Sequence, residues 1–230
     1  MNSGRRDFLT GLSEVAPVVV AYVPIGLLWG TLAAAKGISP FEALLMSVIV
    51  FAGSAQFVAV DMWNDPVPVV LLTFTALIVN VRHVLMSASL SRHVGGIPRA
   101  LHPILAYFLV DESWALAERR ALQTPLTLAY YLGITLPLAM TWWVCTGLGA
   151  MLGRALGDTS AIGLDFAFSA MFIAILMGFW KGSSTAGVLA ASGAVAAATH
   201  LAVDGPWYIV AGGMAGALYA YATCRVGEEA

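Results

Sequence analysis

Apolar residues run almost unbroken through stretches at about 15–35, 41–60, 66–90, 101–117, 126–152, 162–180, 184–200 and 206–224. A helix that crosses the hydrocarbon core of a bilayer needs roughly 20 such residues. The pattern therefore predicts seven or eight membrane segments. The runs are continuous rather than alternating at period two, which sets aside a transmembrane β-barrel and leaves helices. Short linkers rich in Gly and Pro separate them: "KGISP", "DMWNDPVP", "GGIP", "GDTS", "KGSS" and "DGP". With no soluble domain, charged tail or low-complexity tract in between, residues 1–230 read as one integral membrane domain of the all-α, polytopic class.

Composition sharpens this. Of the 230 residues, 60% are hydrophobic and only 10% charged, where a soluble domain carries about 25% charged residues. Mean hydropathy is +0.84. A net charge of −2 offers no basic face for nucleic acid. Cys145 and Cys224 fit no metal-ligand spacing and read as packing residues. The opening "MNSGRRDFLTGLSE" lacks the apolar core and small-residue cleavage site of a secretory signal. Arg5 and Arg6 favour a cytoplasmic N-terminus. Further on, Arg92 and Arg99 flank one loop and Arg119 and Arg120 the next. Two neighbouring Arg-rich loops do not fit a single crossing between them, so "LHPILAYFLVDESWALA" is a candidate re-entrant segment.

Polar residues inside the apolar runs carry the candidate chemistry. "FAGSAQFVAV" (51–60) matches "FAFSAMFIAI" (166–175) at six of ten positions, with two further Val/Ile exchanges, at an offset of 115. Pro24 and Pro137, each one segment earlier, repeat at an offset of 113. Both offsets are near half the chain, which predicts two related halves, about 14–117 and 126–225. Internal duplication and broken helices are signatures of transporter folds. Gly53 weakens a helix by about 1 kcal/mol relative to Ala. Backbone N–H groups freed at such a break can hold a carboxylate, with Ser54, Gln56 and the repeat's Ser169 as further hydrogen-bonding groups. The alternative is close helix packing at Gly53, Ser54 and Ala55, with Gln56 bonded to a neighbouring backbone.

"LLTFTALIVNVRHVLMSASL" places Asn80, Arg82 and His83 in an otherwise apolar run. Arg at a helix centre costs at least about 2.5 kcal/mol on insertion scales, so Arg82 needs a partner or a polar cavity. Asp111 and Glu112 are the nearest acids in sequence on a partly apolar segment. His83 is a candidate proton carrier, since an ordinary imidazole changes charge near neutral pH, although a lone His is more often a hydrogen-bonded structural residue.

Together, "SPFEALLMSVIVFAGSAQFVAV", "LIVNVRHVLMSASL", "DESWALA" and "GLDFAFSAMFIAI" resemble the AzlC family, the large subunits of branched-chain amino acid exporters, over nearly the whole chain. The resemblance implies a bacterial inner-membrane protein that works with a small AzlD-type subunit. It also implies export of valine, leucine, isoleucine and in some members methionine, driven by the proton gradient, with no cofactor. The motif positions it maps are Glu42, Gly53, Ser54, Gln56, Phe57, Asn80, Arg82, His83, Asp111, Glu112 and Asp165.

An amino-acid substrate suits these residues. A zwitterion in a low-dielectric site needs a donor for its carboxylate and an acceptor for its ammonium. Free backbone N–H groups or Arg82 serve the first need; Asp111, Glu112, Asp165 or unwound carbonyls serve the second. Glu14 and Glu42 sit where helix starts are expected, and a cap is their simpler reading. Asp165 is open between a cap and a coupling residue. A channel or pump permease, and an intramembrane enzyme pairing Ser54 with His83 or His200, remain as other classes; the latter has no recognisable signature without geometry.

Overall fold

The computed structural model describes residues 3–64, 66–156, 173, 177, 180, 182–203 and 207–223. Every regular element among them is helical: α1 (Ser3–Ala35), α2 (Pro40–Ile49), α3 (Gly53–Asp61), α4 (Val69–Asn80), α5 (Arg82–Leu90), α6 (His102–Tyr107), α7 (Asp111–Ala121), α8 (Leu128–Leu156), α9 (Ser183–Ala202) and α10 (Trp207–Thr223), with a 3-10 turn at Arg99–Leu101 before α6. Four apolar stretches are long enough to cross a bilayer: α1, α4 continued through α5, α8 and α9.

The centre of the fold is the pairing of α1 with α8. Glycines make it possible. Gly11 abuts Tyr130 and Gly133, Gly26 abuts Cys145, and Gly153 abuts Thr31 and Ala34. A methyl group at Gly30 would collide with the Thr146 carbonyl and sit 2.6 Å from the Ala150 nitrogen. Small residues at this spacing let membrane helices approach backbone to backbone. The pairs advance in the same direction along both helices, so α1 and α8 are parallel.

Parallel α1 and α8 require an odd number of crossings between them, and the structure shows how. The segment at 41–60, expected as a span, folds back on itself at Val50–Ala52. Ser47 in α2 and Gln56 in α3 meet at 3.0 Å, a separation no straight helix allows for residues nine apart. Lys36, at the end of α1, donates to the Asp61 carbonyl at 3.2 Å, so both ends of α2–α3 lie at the C-terminal end of α1. Ser39 and Glu42 form a capping box, with Pro40 in the first turn, that starts the hairpin.

The segment at 101–117 also turns back, as the flanking arginines anticipate, but from the other end. α5 and α7 run parallel: Arg82 pairs with Asp111 and Ser89 with Glu118. Arg119 reaches Glu14 at 3.1 Å and Arg120 reaches Asp7 at 3.6 Å, which fixes the base of α7 beside the start of α1. One crossing, α4–α5, remains between α1 and α8. It continues through a tight turn at Val81, whose N–H bonds Ile78 at 3.2 Å. Arg5, Arg6, Arg92, Arg99, Arg119 and Arg120 consequently share one end of the molecule. Lys36 and Arg154 lie towards the other. By the positive-inside rule the first end is the one expected to face the cytoplasm.

The expected spans at 41–60 and 101–117 are therefore two re-entrant hairpins. An apolar run of about twenty residues satisfies the length criterion whether it crosses once or goes halfway and returns. The second repeat copy, including Asp165 and Ser169, falls outside the described residues, Ile173 apart.

Candidate functional site

The hairpins enter from opposite ends and meet at their tips. Phe51 stacks on Tyr107 at 6.2 Å and makes edge contacts with Phe108 and Trp143. The Tyr107 hydroxyl donates to the Val48 carbonyl. The tip region thus holds the broken ends of α2, α3, α6 and α7 at the depth of Trp143, midway along α8.

Three helix N-termini converge here, and each contributes a named residue. Ser54 is in the first turn of α3, Arg82 opens α5 and Asp111 opens α7. The Arg82 guanidinium donates to Asp111 and, at 2.5 Å, to the Ser54 hydroxyl. The Arg82 and Asp111 side chains keep 38% and 48% of their surface open. This is an accessible ion pair rather than a sealed one. The first turn of α3 begins at Gly53, against the Trp142 ring, with no side-chain cap. Unpaired N–H groups and the positive end of the helix dipole make such a terminus favourable to an anion. Asn80 closes α4 beside Arg82. Its Oδ1 and the Arg82 Nε are buried without a protein partner, so hydrogen-bonding capacity at the site is unspent.

The two acids suggested for Arg82 separate cleanly. Asp111 pairs with it. Glu112, one residue on, points to α1, where the Tyr22 hydroxyl donates to its Oε2 at 2.7 Å.

Other sequence candidates take structural places. Gln56 is fully buried. Its Oε1 accepts from the Trp142 indole at 2.9 Å and its Nε2 donates to Ser47 at 3.0 Å. These bonds clamp the two arms of the outer hairpin to α8 and engage both ends of the amide expected as a substrate ligand. Phe57, 2% exposed, packs edge-on against Trp142. His83 lies 3.2 Å from the Asn80 carbonyl within the Val81 turn. Glu42 sits in the capping box at the far end of α2 and not at the tips. The Ser54 hydroxyl faces Arg82, not a histidine, so the imagined Ser–His dyad with His83 has no hydrogen bond to support it.

Tyr22, Ser47 and Trp142 were not legible as site residues. Each is an ordinary core type, and each acts through a partner 9 to 90 residues away in sequence. Two cavities flank the tips at opposite ends. One of about 180 Å³ opens between α5 and α6, lined by Ser87, Ser91, His102 and Leu105 among others. The other, about 480 Å³, lies beside α2, lined by Gly37, Ile38, Glu42, Met46 and Trp63 among others. Among the described residues no group of His, Cys, Asp and Glu is arranged to hold a metal.

Comparison with known proteins places this arrangement. The chain is 30% identical over 213 residues to an uncharacterized membrane protein of Archaeoglobus fulgidus, covering 92% of this chain and 93% of the relative. It is 29% identical to the inner membrane protein YgaZ of Escherichia coli, covering 94% and 91%. It is 25% identical to the branched-chain amino acid transport protein AzlC of Bacillus subtilis, covering 75% and 68%. No solved structure matches the chain. The family model for AzlC protein matches residues 17–156, which hold both hairpins, the α4–α5 crossing and α8 to its end. The chain belongs to the AzlC family.

Proposed function

We propose that the protein is a secondary transporter that exports branched-chain or related apolar amino acids across the inner membrane, coupled to protons, together with a small AzlD-type partner subunit. The observation that carries this reading is the junction of Arg82, Asp111 and Ser54 at the tips of two opposed re-entrant hairpins. Such a junction has an anion-favouring side and a carboxylate side a few ångströms apart, and a free α-amino acid presents the complementary pair. The substrate carboxylate sits at the first turn of α3 and Arg82, and its ammonium at Asp111. Apolar walls then select the side chain. They separate valine, leucine and isoleucine weakly, because one methylene is worth only about 1–3 kcal/mol, so a range of apolar amino acids is expected. The relative named as a branched-chain amino acid transport protein supports the substrate class. The resemblance to the AzlC family supports the direction and the partner in this reading.

The test is flux in proteoliposomes holding this chain alone or co-purified with the small membrane protein. Leucine efflux that an imposed pH gradient accelerates, and that needs the partner, is the expected result. Passive conductance indifferent to the pH gradient would favour a channel. Full activity of the chain alone would remove the obligate partner.

A further inference from the structure

Resting on the transporter reading, we infer that Glu112 is the proton-carrying group of the cycle, positioned by Tyr22, and that proton and substrate compete for one negative charge at the hairpin tips. The placement of charge carries this. Two carboxylates stand side by side at the start of α7, but a single cation faces them. Arg82 is committed to Asp111 and Ser54. Glu112 has no cation of its own; the Tyr22 hydroxyl donates to it at 2.7 Å, and its own backbone N–H adds a hydrogen bond. The charged and titratable groups facing it are Tyr22 from α1, Arg82 from α5 and Asp111 from its own helix. From α8, Trp142 contacts the Tyr22 ring edge-on at 5.8 Å, and the Tyr131 hydroxyl is engaged with the Leu105 carbonyl.

Charge arithmetic turns this geometry into exchange. With Glu112 ionised, the three groups Arg82, Asp111 and Glu112 sum to −1, and a substrate ammonium balances that charge while the uncapped N-terminus of α3 takes the substrate carboxylate. With Glu112 protonated, the site is already neutral and the ammonium is no longer attracted. A proton arriving on Glu112 therefore displaces the amino acid, and its departure readmits one. That is one proton in for one amino acid out, with no further reactant. The Tyr22 hydrogen bond stabilises the carboxylate form, so it sets the pH at which the exchange turns over.

The experiment uses the reconstituted protein with its small subunit and measures three quantities. These are leucine counterflow at equal pH on both sides, uphill leucine accumulation driven by a pH gradient, and pH-difference infrared spectra in the carboxyl C=O region. The last needs no substrate. For Glu112→Gln, which holds the site in its neutral, substrate-rejecting state, accumulation and counterflow should both fall at least tenfold at every pH, and one protonated-carboxyl band should vanish. For Tyr22→Phe, both the infrared midpoint and the counterflow midpoint should move up by about one pH unit. Wild-type accumulation in Glu112→Gln, or counterflow in that variant that keeps the parent's rate and pH dependence, would overturn the assignment. A Tyr22→Phe midpoint that does not move would overturn the positioning role. If the native protein shows no leucine counterflow at all, the transporter reading fails, and the infrared band alone decides whether Glu112 holds a titrating proton.

Discussion

The two re-entrant hairpins are built from opposite materials. The outer one, α2–α3, is almost wholly apolar and is held by a buried clamp, Ser47–Gln56–Trp142. The first turn of its returning helix is uncapped. The inner one, α6–α7, is held by charge: Arg82–Asp111 at the tip, Ser89 and His93 on Glu118 midway, and Arg119–Glu14 and Arg120–Asp7 at the base. Its returning helix is capped by Ser113, which accepts from the Val110 N–H at 2.9 Å. A buried clamp of neutral groups costs the full desolvation of every atom it frees, whereas partly exposed ion pairs exchange partners with water cheaply. The outer hairpin is thus the fixed wall of the site and the inner one the part suited to movement.

The sharpest contrast is in accessibility, and it is all or none. With Cys224 replaced by Ala, cysteines introduced at Lys36 and Asn64 should both react with impermeant reagent from the outside. Cysteines at Arg99 and Gln123 should both react from the cytoplasm. Labelling of either pair from opposite sides would turn that hairpin back into a span.

Next in size is Arg82→Ala, expected to abolish leucine efflux. Its stability loss should fall short of the about 3–5 kcal/mol for a fully buried pair, because both side chains keep open surface. Adding Asp111→Asn should restore membrane abundance but not flux. Normal efflux by Arg82→Ala at normal abundance would remove the pair from the mechanism.

Gln56→Ala tests the fixed wall. It strands the Trp142 indole N–H and the Ser47 hydroxyl, at about 1–3 kcal/mol for each unsatisfied group. A clear drop in thermal stability in detergent is expected. The protein that remains folded should keep the substrate preference of the parent, since the Gln56 amide is engaged by Ser47 and Trp142.

Glu118→Gln loosens the movable hairpin at one rung only. The rung is partly exposed, so a loss of about 1 kcal/mol or less is expected, with efflux changed by no more than a few-fold. A stability loss as large as that of Gln56→Ala would erase the distinction between the hairpins. The smallest effect belongs to Glu42→Gln. Gln serves as well as Glu in a capping box, so stability and efflux should match the parent. A specific transport defect would return Glu42 to the coupling residues.

How much of this the chain announces depends on the distance over which each signal acts. The cost of an intramembrane arginine demands an acid, and the acid is found 29 residues on. Which of two adjacent acids answers is a matter of helix phase, since consecutive residues point about 100° apart, and pattern alone does not set the phase. The inner hairpin is legible because arginines flank it on both sides. The outer hairpin is not: Gly53 marks the break, but nothing local distinguishes a kink from a reversal. That decision is made by the Gln56–Trp142 bond across 86 residues. Glu42 reads as a cap from Ser39 and Pro40, because capping is settled within four residues.

The same long-range bond bears on the order in which the protein is made. When α2 and α3 leave the ribosome, Trp142 and Trp143 are still some eighty residues from synthesis. Neither arm alone is long enough to be held by the bilayer, and the Gln56 amide has only half of its partners. The outer hairpin therefore waits. Its bonds are complete only once α8 packs on the glycines of α1 and supplies the two indoles. Assembly runs from the last central helix backwards, and a chain truncated before residue 142 should present residues 40–61 as unsettled substrate for membrane proteases.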